Sequence, residues 1–66
     1  MISKEDMQGF LNKMLEIEMN MHNAYAGLAK KVKDEKIRKT FEMASNQETE
    51  HAQMVKDLMK LLSSLK

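Results

Sequence analysis

The sequence has no cysteine, no proline and no tryptophan. Without cysteine, disulfides and thiolate metal sites are both excluded. Without proline, and with only Gly9 and Gly27 as glycines, little interrupts a helix. Strong charge of one sign is lacking too. Eleven basic and ten acidic residues leave a formal net charge of +1, too near zero to argue for nucleic acid or a membrane surface. No apolar run is long enough to span a bilayer, and Met1-Ile2-Ser3-Lys4-Glu5-Asp6 does not read as a signal peptide. The expected compartment is the cytoplasm. A chain of 66 residues is one small unit, and such a unit rarely buries enough apolar surface without a disulfide, a metal or a partner. With disulfides excluded, a metal held by oxygen and nitrogen, oligomerisation, or both must serve.

What is present is helical. Ser3 is a good N-cap, with Glu5 and Asp6 in the first turn. Apolar positions then run Met7, Leu11, Met14, Met21, Tyr25, Leu28 and Val32, stepping by four and three through a polar interruption at Glu18. Phe10, Leu15, Ile17, Ala24 and Ala29 widen the seam into a bundle face. Lys30, Lys31 and Lys33 suit a helix C-terminus, and Asp34 suits the N-cap of a second helix. That helix repeats the pattern through Ile37, Phe41, Ala44, Val55, Leu58, Leu62 and Leu65, interrupted at Glu48 and His51. The spacing predicts helix 1 over about 4–32, a turn near 33–34 and helix 2 over about 35–63.

Glu18, Glu48 and His51 interrupt otherwise apolar seams. Glu18 lies about fifteen residues before the turn, and Glu48 and His51 about fourteen and seventeen after it. At about 1.5 Å of rise per residue, all three fall near one level, halfway along an antiparallel hairpin. Glu48-Thr49-Glu50-His51 is a Glu-x-x-His motif, which places a carboxylate and an imidazole on one helix face. Helix bundles use this motif from two helices, with a Glu from each of two others, to build di-iron and di-manganese centres. One hairpin cannot cover its own apolar face; two copies can, as a four-helix bundle. Pooling two copies gives that ligand set, and two divalent cations would neutralise its four carboxylates. Iron or manganese suits such donors, and zinc also fits.

These residues resemble one half of a ferritin-like domain of the rubrerythrin kind. The resemblance runs over residues 14–62. It is carried by Glu18 followed seven residues later by Tyr25, then Leu28-Ala29, and later Phe41 leading to Gln47-Glu48-Thr49-Glu50-His51-Ala52. It implies Glu18 and His51 as terminal ligands, Glu48 as the bridging carboxylate and Tyr25 as a hydrogen-bond partner of a ligand carboxylate. It further implies two iron ions per homodimer, hairpin turns at opposite ends, and oxidation of ferrous ion by dioxygen or peroxide at Glu18, Glu48 and His51. The family's domains carry two helix pairs in one chain; here a second copy must supply the other pair. Rubrerythrins also carry an iron site made of cysteines, and none exists here, so any electron donor is a separate molecule.

Other residues have plainer readings. His22, one turn beyond Glu18 at the edge of the face, is a candidate extra ligand, although an edge histidine is more often solvated. Inward methionines such as Met7, Met14 and Met54 fill gaps. The basic run from Lys30 to Lys39 is interrupted by Asp34 and Glu35, and helix-end complementarity explains much of it. Met19, Asn20, Asn23, Ala26 and Gly27 form a weakly polar outer stripe on helix 1, a candidate surface for assembly beyond the dimer. The rival reading is a metal-free helical assembly or scaffold module, in which Glu18, Glu48 and His51 set register only.

Overall fold

The computed structural model of the chain describes residues 2–65. They form two helices and no strand: α1, Lys4–Lys31, and α2, Glu35–Ser63. Each start is fixed by a side-chain cap. The Ser3 hydroxyl accepts the Asp6 N–H at 3.0 Å, and the Asp34 carboxylate accepts the Ile37 N–H at 2.9 Å, satisfying donors that have no partner inside a helix. The chain reverses over residues 32–34. Val32 and Asp34 are both extended, at φ −93°, ψ 130° and φ −66°, ψ 125°. Any L-residue adopts such angles, so this reversal needs neither glycine nor proline.

The two helices lie side by side in a rod of 51 × 15 × 14 Å. Their contact is built from small and branched side chains. Ala29, Ser45, Ala52, Val55 and Leu62 are buried, and Leu11, Leu15, His22, Ala26 and Met59 are half-buried. Tyr25 and Phe41 stack near the turn with ring centroids 6.2 Å apart. Ala26, which belongs to the expected outer stripe of helix 1, is instead partly covered, as is Gly27; Met19, Asn20 and Asn23 are exposed.

Each helix also carries a second apolar face that nothing in the hairpin covers. On α1 it holds Phe10, Ile17, Met21 and Leu28; on α2, Met54, Leu58 and Leu61, all exposed, with exposed Leu65 just beyond the helix end. At about 100° per residue, the α1 face lies roughly 110° around the helix from the Leu11–Leu15–His22–Ala29 contact line. A helix in a four-helix bundle meets its two neighbours over faces displaced in this way. The expected single seam on each helix is therefore two adjoining faces. One is spent within the hairpin and one is left open.

A Cβ added at Gly27 would meet nothing within 4 Å. Gly27→Ala should therefore raise the unfolding free energy by about 1 kcal/mol, through helix propensity alone, read from the urea midpoint. A lowered midpoint would mean that the space beside Gly27 is occupied in solution.

Candidate metal centre

The middle of the rod carries its polar layer. Glu18 projects from α1, and Glu48 and His51 from one turn of α2. The capped helices run without interruption, so regular rise brings the three to one level. His51 Nδ1 lies 3.5 Å from Glu18 Oε2 and 3.8 Å from Glu48 Oε2. One donor atom from each residue falls within 4.8 Å of the others. The carboxylates are largely covered, at 13% and 17% side-chain exposure for Glu18 and Glu48, whereas His51 is 54% exposed. His51 sits on the uncovered face of α2, so the cluster straddles the covered contact and the open one.

Two carboxylates so close cannot both stay charged without cost. The Glu18 carboxyl is pushed above the ordinary carboxylate range. The main cause is hydrogen bonding to Glu48, followed by burial and by the charge of Glu48; His51 opposes the rise. The donor chemistry fits a metal such as iron, manganese or zinc: oxygens and an imidazole nitrogen, no thiolate, and a carboxylate pair whose repulsion a cation would relieve.

The other sequence candidates stand apart. His22 is not part of the cluster: its Nδ1 is 2.9 Å from the Ser45 carbonyl oxygen, 2.8 Å from Ser45 Oγ and 3.1 Å from Thr49 Oγ1. Tyr25 is half-buried against Phe41, and among the described residues its hydroxyl forms no hydrogen bond to Glu18 or Glu48. Glu16 and Glu42 make ordinary exposed pairs, with Lys13 at 3.9 Å and with Arg38 at 3.7 Å. Ser45 and Thr49 are the polar residues that the apolar periodicity passes over. Their signal is Ser45-x-x-x-Thr49 lying one heptad before Ala52, on the line of small residues where helices approach closely.

Residues 9–64 match the family model described as rubrerythrin. The chain belongs to the rubrerythrin family. No curated protein and no solved structure matches it. Rubrerythrin domains typically bind iron, and the Glu18–Glu48–His51 cluster is where a metal could be held in this member of the family. No helix among the described residues is long and apolar enough to cross a membrane.

The raised pKa of Glu18 sets a pH dependence. The folded, metal-free chain holds the Glu18 proton more tightly than the unfolded chain does. That contribution to stability is complete below the ordinary carboxylate pKa, and it is lost as pH rises through the raised value. Glu18→Gln carries no titrating proton. The thermal midpoint of the metal-free parent relative to Glu18→Gln should therefore fall as pH climbs from about 4 to about 7. A difference that grows with pH would contradict the environment described for Glu18.

Proposed function

We propose that the hairpin works as a homodimer whose two open faces meet in a four-helix bundle, a rubrerythrin fold divided between two chains. In this reading Glu18, Glu48 and His51 of both copies hold two iron ions per dimer, with manganese or zinc as lesser occupants. The activity is oxidation of ferrous ion by dioxygen or peroxide, in the cytoplasm.

The observation that carries the reading is the position of His51. An imidazole more than half exposed, beside two largely covered carboxylates, lies at the border of an apolar face that the chain leaves open. A second copy laid on that face would exclude water from the cluster and double its ligands. The chain's own residues then have distinct tasks. Glu18 and Glu48 supply anionic oxygen and neutralise bound cations. His51 supplies a nitrogen donor. The exposed Met21, Met54 and Leu58 would wall the layer from solvent above and below. Iron in such a site supplies one-electron chemistry toward oxygen species, and ferrous ion is at the same time the substrate.

The test is metal content per chain after anaerobic loading with ferrous ion and desalting, beside Glu48→Ala/His51→Ala. One iron per chain in the parent and none in the variant is expected, with loading raising the thermal midpoint. Oxygen uptake during ferrous addition then reads the oxidation. Iron absent from both proteins, with a thermal midpoint insensitive to chelator, would leave the layer as a register device in a metal-free assembly.

A further inference from the structure

His22 and Ser45 form a directional contact between the helices, beside the Glu18–Glu48–His51 layer. The seam of Leu11, Leu15, Ala29, Ala52, Val55 and Leu62 around them is apolar, and apolar contact is non-directional. Ser45 is 4% exposed. It meets His22 through its hydroxyl and through its carbonyl oxygen. A carbonyl oxygen only accepts, so its 2.9 Å approach to His22 Nδ1 is a hydrogen bond when Nδ1 carries the hydrogen. The rest of the network agrees. Ser45 Oγ–H donates to the His22 carbonyl at 3.2 Å, and Thr49 Oγ1–H donates to the Ser45 carbonyl at 3.3 Å. Both hydroxyl oxygens then present lone pairs to Nδ1–H. Every donor in the group finds an acceptor, and Nε2 of the neutral ring keeps its lone pair.

The clasp sits one turn from Glu18 on α1, and on α2 Thr49 is the immediate neighbour of Glu48. A slip of the helices by one turn is a displacement of about 5.4 Å. It would exchange one set of apolar contacts for another. It would also strand His22 and Ser45 without partners and carry Glu18 away from Glu48 and His51.

We propose that His22 is a positioning residue for the Glu18–Glu48–His51 cluster, fixing through Nδ1–H and the Ser45 carbonyl the level at which α1 lies on α2. Its consequence for metal binding rests on the reading given under Proposed function. The structure thus assigns the histidine nearest the cluster to aligning the ligands, and not to joining them.

Two isosteres separate these roles. Asparagine places an amide near the position of Nδ1, and glutamine near that of Nε2. His22→Asn, His22→Gln and His22→Ala are titrated with ferrous ion under anaerobic conditions, and their metal-free forms are melted. Nitrogen-detected couplings of the imidazole in the metal-free parent read the tautomer. The expected results are an Nδ1–H tautomer, a loss of ferrous affinity of about tenfold or more in His22→Gln and His22→Ala, and recovery of most of it in His22→Asn. The metal-free His22→Asn should also melt above His22→Gln. An Nε2–H tautomer, unchanged affinity in His22→Ala, or rescue by glutamine and not asparagine would each overturn the proposal. If His22→Ala fails to fold, the asparagine–glutamine pair still decides. If the parent binds no ferrous ion, the metal reading fails. The clasp is then judged by the tautomer and by the melting order of the two isosteres, and equal melting would overturn it.

Discussion

Two carboxylates, Glu18 and Glu48, are held against each other at the border of an apolar face, and much of the molecule answers to the repulsion this creates. Their repulsion raises the hold of Glu18 on its proton, and it is eased by an imidazole within 4 Å or would be eased by a bound cation. The first two belong to the isolated hairpin. The third is the one suited to neutral pH, where keeping a carboxyl protonated costs most. Helix caps, uninterrupted helical sequence and the clasp between His22 and Ser45 all serve to keep these acids level with each other.

The second governing fact is a shortage of cover. Two helices share one contact, so each can bury only one of its apolar faces. The buried one is built largely on alanine, serine and valine beside Leu62, and the open one uses large side chains such as Phe10, Leu58 and Leu61. Close approach within the hairpin leaves the bulky residues for an outer contact. Glu18, Glu48 and His51 lie where the two faces adjoin, with His51 on the open side.

Much of this was legible in the sequence because helical rise is nearly constant and nothing here interrupts it. Counting residues from the turn was enough to bring Glu18, Glu48 and His51 to one depth. The resemblance to rubrerythrins rested on the same residues, and the family match covers them. Periodicity of large apolar residues served less well for the contact inside the hairpin. It selected Met21 and Leu28, which are exposed, over Ala52 and Ser45, which are buried. Small residues add little to a hydrophobic pattern, yet they decide where two backbones can approach. The engagement of His22 was hidden for a related reason. It depends on the rotation of α1 against α2, which spacing along one helix does not encode. The turn escaped the usual signals because extended backbone at Val32 and Asp34 makes the reversal without glycine or proline.

The polar layer lies near mid-length in both helices, so a second hairpin could be laid on the open face in either direction without moving the ligands out of line. The ends are not equivalent in the same way. Lys30, Lys31, Lys33, Lys36, Arg38 and Lys39 gather at the reversal, while the opposite end of the rod has no such concentration of one sign. Placing two reversals together would crowd like charges. Placing them at opposite ends would part them by most of a 51 Å rod, several times the screening distance of about 10 Å at moderate ionic strength. In the dimer proposed above, the lysines around a three-residue turn would act as a polarity marker, giving a near-symmetric polar layer a preferred way to meet its copy.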